Sequence, residues 1–215
     1  MSSRRTRRRG ARRELEARPG LGAALLAVWA RLGAPGAIWT GRERLAVVAG
    51  ARAARSGQPP TRALRPAVAD AVRTVAARPS SIRRRWVEQA VAAGLGYAGY
   101  VELVGVVSRT VAIDTLFEAL GMDPEPLPVP IDGDPTEDID RRARLGKAWV
   151  PMVGGASITQ ALSLVPAENS ALEELHGHLY LRFEEMADPA VSKGLTRPQM
   201  ELVAARTSAV NECFY

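Results

Sequence analysis

At 215 residues, with 47% apolar but only 5% aromatic side chains, the chain is long enough to bury a full core packed through Ala, Val and Leu, a composition that favours an all-helical protein. A single cysteine excludes an internal disulfide framework and fits a reducing, cytoplasmic setting, and no uninterrupted apolar run reaches the ~18 residues of a membrane span. The net charge of +6 is local: residues 1–18 hold eight of the 29 basic residues and two of the 23 acidic ones, so the remainder is neutral by count.

Residues 1–19 therefore read as a solvated basic arm, with weak polyanion contact, to nucleic acid or a membrane surface, as the alternative through counterion release. Ser3-Arg4-Arg5 ahead of the apolar stretch Leu21 to Ala30 has the outline of a twin-arginine export signal. Arg31 breaks that stretch, and no hydrophobic residue follows the arginine pair, so export is set aside.

Residues 20–121 form a first, thiol-free half. Its predicted helices are Leu21 to Leu32, Arg42 to Arg55, Leu64 to Ala77, Ile82 to Ala93 and Tyr97 to Leu120, broken at Gly33-Ala-Pro-Gly36, Gly57-Gln-Pro-Pro60, Pro79 and Gly94 to Gly96. The last is apolar on nearly every side and belongs at the centre. Glu102 on it requires a partner or a raised pKa if buried, and a salt bridge to Arg83, Arg84 or Arg85 is the expected solution.

Residues 122–144 carry Pro124, Pro126, Pro128, Pro130 and Pro135 among acidic residues, which removes backbone donors and predicts an extended linker. In residues 145–215, Ser170 with Glu173 predicts a helix to about Met186. Thr196 with Gln199, and Pro198 in the first turn, signal a helix more strongly, with Leu195 placed to pack on Met200. Met200, Val203, Ala204, Thr207 and Val210 are expected to face inward. The starts at Trp39-Thr40 and Leu195-Thr196 echo one another, a weak sign of duplication.

The segment from Leu195 to Tyr215 holds Glu201, twelve residues before Cys213, with Asn211 introducing that cysteine. In this wording the segment resembles the alkylhydroperoxidase D and carboxymuconolactone decarboxylase superfamily, in which the run continues Cys-x-x-Cys-x-x-x-His. The resemblance implies a helical bundle of two such halves, the second incomplete, because the second cysteine would fall at the first position after Tyr215. It assigns Cys213 as the resolving thiol and Glu201 as the proton-relay carboxylate. It also implies reduction of hydroperoxides through a disulfide cycle with a dithiol reductant and no cofactor, although the chain as written, lacking the attacking thiol, is expected to be inactive. A homo-oligomer assembled through helices is expected separately, since a half this small with a central apolar helix leaves faces to cover. An unbroken helix would hold Glu201 and Cys213 ~18 Å apart, so the family site requires a reversal near Asn211.

A cofactor-free lactone decarboxylase and a non-catalytic binding or oligomerisation module are the alternatives. His176 and His178 point about 200° apart on a helix, a poor arrangement for a shared metal. Gly154-Gly155 follows no strand and precedes no lysine, so it reads as a turn.

Overall fold

The computed structural model describes residues 20–59 and 61–212, so the arginine arm and Cys213 lie outside the described residues. Among those residues every regular element is helical, and strand-like pairing is confined to one bridge between Arg144 and Met152. The helices are α1 (Leu21–Ala30), α2 (Gly41–Arg55), α3 (Pro66–Ala77), α4 (Arg84–Ala90), α5 (Gly96–Ala119), α6 (Pro166–Leu179) and α7 (Arg197–Val210).

Local chemistry sets the start of α2. Thr40 accepts from the Glu43 backbone N–H at 3.3 Å while the Glu43 carboxylate accepts from the Thr40 N–H at 2.9 Å, satisfying two donors that the first turn leaves orphaned. Glu43 near the start and Arg52 and Arg55 in the last turn both oppose the helix dipole. Pro66 opens α3 at a position where its missing N–H removes nothing. A π-type turn at Val91–Leu95 joins α4 to α5, and Gly94 (φ +100°) supplies the left-handed backbone at that kink.

As its composition predicts, α5 runs through the centre. It buries Leu103, Val106, Val107, Ile113 and Phe117 against Leu25, Val28 and Leu32 from the α1 side and Val47, Val48, Val68 and Val72 from α2 and α3. Gly99 lets Trp39 approach closely, and the Trp39 indole N–H donates to the Gly99 carbonyl at 3.0 Å. Residues 84–119 are long and apolar enough to cross a membrane, but half of the qualifying stretch is buried inside this body. A buried ion pair on each of Glu102 and Arg109 marks it as a core helix.

The second half differs from expectation at both ends of α6. The helix begins at Pro166, with Val165 extended before it, so Ser170 sits inside the helix and caps nothing. It ends at Leu179, because Tyr180 leaves helical space (φ −137°, ψ −96°) and the chain turns back until the Leu181 carbonyl meets the His176 ring at 2.5 Å. A short 3₁₀ turn at Glu184–Ala187 replaces the predicted last turns. Leu175 of α6 enters the same core as α1 to α5, so helices from both sides of the proline-rich segment share one interior.

That segment is extended, as its prolines require, and it is tied down. The Trp29 indole donates to the Pro126 carbonyl at 2.7 Å, and the Ile131, Thr136 and Glu137 N–H groups donate to Gly33, Gly36 and Ala37. The Asp140 N–H then reaches Leu164 at 2.9 Å. The segment is a strap stitched from the end of α1 to the approach of α6.

Candidate functional site

Helix α7 opens as predicted: the Thr196 N–H donates to the Gln199 side chain at 2.9 Å in a capping box with Pro at the start. The Glu201 carboxylate is held at one oxygen. Tyr180 donates its hydroxyl to Oε1 at 2.8 Å, and Arg197 Nε lies 2.5 Å from the same atom. Oε2 makes no hydrogen bond among the described residues. The Tyr180 and Arg197 donors hold the carboxyl below the usual glutamate range, and the Tyr180 phenol is pushed up, first by desolvation and then by the neighbouring carboxylate.

Arg197 also anchors the helix, donating to the Glu185, Met186 and Asp188 carbonyls that the α6 exit presents. The predicted inward stripe is different. Only Met200 is buried; Val203 is 57% and Val210 66% exposed, Thr207 is also exposed, and Ala204 is half-buried. No described helix packs along that face, so the apolar spacing meets nothing to bury it. The helix ends at Val210, Asn211 leaves helical geometry (φ −86°, ψ 6°), and Glu212 takes a left-handed conformation (φ +54°). Cys213 follows outside the described residues.

A second constellation lies in the core. Glu102 pairs with Arg44 at 2.5 Å, not with Arg83, Arg84 or Arg85 as expected. The Arg83 and Arg84 guanidinium groups are outside, on the backbone carbonyls of Ser80, Ile82 and Lys147. The same Arg44 nitrogen lies 3.0 Å from Glu168, whose other oxygen bonds to Arg109. The Ile38 N–H completes Glu102 at 2.7 Å, and Arg109 Nε donates to the Gly105 carbonyl at 3.2 Å. All four charged side chains are buried.

Two arginines against two glutamates make this quartet neutral, which is what allows it inside an apolar core. Burial pushes the Glu102 carboxyl up against the opposing pull of Arg44, and burial lowers Arg109. Two glycines make the room: a Cβ on Gly36 would lie 1.8 Å from Glu102, and one on Gly105 would lie 2.2 Å from Glu168. Arg44 Nε is buried with no hydrogen-bond partner among the described residues. The quartet ties the Gly36–Ile38 loop, α2, α5 and α6 in one register.

Of its members, only Glu102 stands out in the sequence as a buried charge in need of a partner. The signal for the others was present in part, since Glu102, Gly105 and Arg109 follow the i, i+3, i+7 spacing of one face on an otherwise apolar helix. Nothing in the sequence marked Arg44 or Glu168 as their partners. His176 and His178 are half-buried, and His176 packs edge-on to Tyr180 and tilted against Phe183, both with centroids at 5.4 Å. Among the described residues, no group of three or more His, Cys, Asp or Glu is placed to hold a metal. Gly154 and Gly155 both have positive φ and form a turn.

No family model, no curated protein and no solved structure matches this chain.

Proposed function

We propose that the chain is a helical protein of the alkylhydroperoxidase D type, whose complete site reduces hydroperoxides through a thiol–disulfide cycle. In that cycle a second cysteine thiolate attacks the peroxide oxygen, breaking the O–O bond to give a sulfenic acid and an alkoxide that takes a proton from water and leaves as the alcohol. Cys213 then displaces hydroxide from that sulfur to form the disulfide, Glu201 relays the proton from Cys213 to the leaving hydroxide as water, and a dithiol restores both thiols. Residues 1–215 carry the resolving thiol and the relay acid of this scheme.

The observation that carries the reading is the form of α7. Tyr180 and Arg197 hold one Glu201 oxygen and favour its ionised form, and the helix ends at Val210, three residues before the cysteine. The test is to extend the chain with the Cys and His of the Cys-x-x-Cys-x-x-x-His pattern and follow hydroperoxide consumption. The expected result is dithiol-dependent turnover that falls by about 100-fold in Glu201→Gln. Absence of any gain overturns the proposal.

One observation favours a second reading, a homo-oligomeric module without catalysis. Leu202 (72% exposed) stands with Val203 and Val210 on a helix that buries little in its own chain. Sedimentation equilibrium of the chain and of Val203→Glu tests it: a multimer dissociated by the substitution supports this reading, and a monomer in both removes it.

A further inference from the structure

The loop between α5 and α6 presents a surface that the peroxidase reading does not use. Arg144 and Met152 exchange both backbone hydrogen bonds, at 2.9 and 3.1 Å, which closes the base of the loop. Ala143 and Val150 pack inward against the core clusters, fixing its sides. Within it Leu145 (51% exposed), Lys147 and Trp149 (40% exposed) are exposed while Ala148 and Val150 are half-buried.

Arg84, at the start of α4, donates to the Lys147 carbonyl at 2.7 Å, which places the exposed run Arg83-Arg84-Arg85 beside the loop. None of these cations forms an ion pair with a carboxylate among the described residues. A clamped loop thus holds an indole and a leucine in water next to four unneutralised cations.

We propose that this surface docks on an anionic lipid bilayer, with Trp149 and Leu145 entering the headgroup and acyl boundary and Arg83, Arg84, Arg85 and Lys147 meeting lipid phosphates. The charge pattern suits any polyanion, but an exposed aliphatic side chain gains nothing from a nucleic-acid phosphate, whereas a bilayer interface takes leucine and tryptophan together with arginine. The partner is therefore a membrane surface, approached edge-on by a loop.

The experiment is co-sedimentation of the full chain with vesicles of about two parts phosphatidylcholine to one part phosphatidylglycerol, against phosphatidylcholine alone. The arginine arm is retained throughout, so any loss reports the loop surface. Arg83→Gln with Arg85→Gln, which leaves the Arg84 tether in place, is expected to lower partitioning by about 25-fold, since each lost cation is worth roughly five-fold. Leu145→Ser is expected to lower partitioning to anionic vesicles without altering retention of a single-stranded oligonucleotide.

Brominated lipid in the same vesicles is expected to quench tryptophan emission in the native chain and far less in Trp149→Phe, because Trp29 and Trp39 are buried and Trp86 is half-buried against Tyr100. Partitioning that survives the paired arginine change, indifference to Leu145→Ser, or quenching undiminished in Trp149→Phe overturns the proposal. So does equal loss of oligonucleotide and vesicle binding in Leu145→Ser. Circular dichroism of each variant checks that the helices are retained.

Discussion

Helices α2 and α7 open with the same device and meet opposite fates. Thr40 with Glu43 and Thr196 with Gln199 are both capping boxes. Beyond them, α2 buries Arg44, Leu45, Val47, Val48 and Ala51, whereas α7 buries Met200 alone. The cap is local and sets where a helix begins, worth about 1 kcal/mol. Burial depends on what stands opposite: α3 and α5 cover α2, while α7 rests on the carbonyls of the α6 exit through Arg197 and on Tyr180.

The sharpest way to break the comparison is to give α2 the residue α7 carries four positions after its capping threonine. Arg44→Met leaves Glu102 and Glu168 short of a buried cation, and urea unfolding is expected to show a loss of about 3–5 kcal/mol. Gly36→Ala is next, since its Cβ would press into Glu102 in the same quartet; about 1–3 kcal/mol is expected by the same measurement.

Removing each cap in turn sharpens the contrast. Thr40→Ala is expected to lower global stability by about 1 kcal/mol, because α2 unfolds with the core. Thr196→Ala is expected to accelerate amide exchange in α7 and leave the melting of the remainder unchanged. The smallest effect is expected for Val203→Ser, within about 0.5 kcal/mol, since its side chain is already in water.

Acid separates the two helices by a different route. The folded-state pKa of Glu201 is lowered by Tyr180 and Arg197, so its contribution is present above the unfolded value and lost as pH falls through the folded one. Protection of the α7 amides, taken relative to the intrinsic exchange rate at each pH, is therefore expected to fall as pH drops below the unfolded glutamate value, an effect abolished in Glu201→Gln.

The helices of the first half were legible because their signals are short-range. Thr40 and Glu43, Pro66 and the glycines around the kink act within a few residues of themselves, and the apolar surround of α5 announces a central helix regardless of its neighbours. Ser170 and Glu173 matched the capping pattern and misled, because Pro166 four residues earlier was an equally local start. The stripe on α7 misled for another reason: apolar spacing states which side chains share a face, and is silent on whether anything covers it. For the candidate site, Glu201 is proposed from its place in a family-like run, while its contact with Tyr180 arises only because α6 ends there, where the Ser170–Glu173 pattern predicts continuing helix.

The sequence alone determined the helical class, most helix starts in the first half, the central place of α5 and the extended proline-rich segment, because propensity, capping and missing backbone donors operate along the chain. Only the tertiary structure decided that Arg44 and Arg109 neutralise Glu102 and Glu168, that the strap is stitched to the Gly33–Ala37 loop, and that α7 keeps its apolar residues in solvent. Those outcomes depend on which groups meet across long stretches of sequence, where a buried charge must find its opposite and an apolar face is covered only if another element arrives.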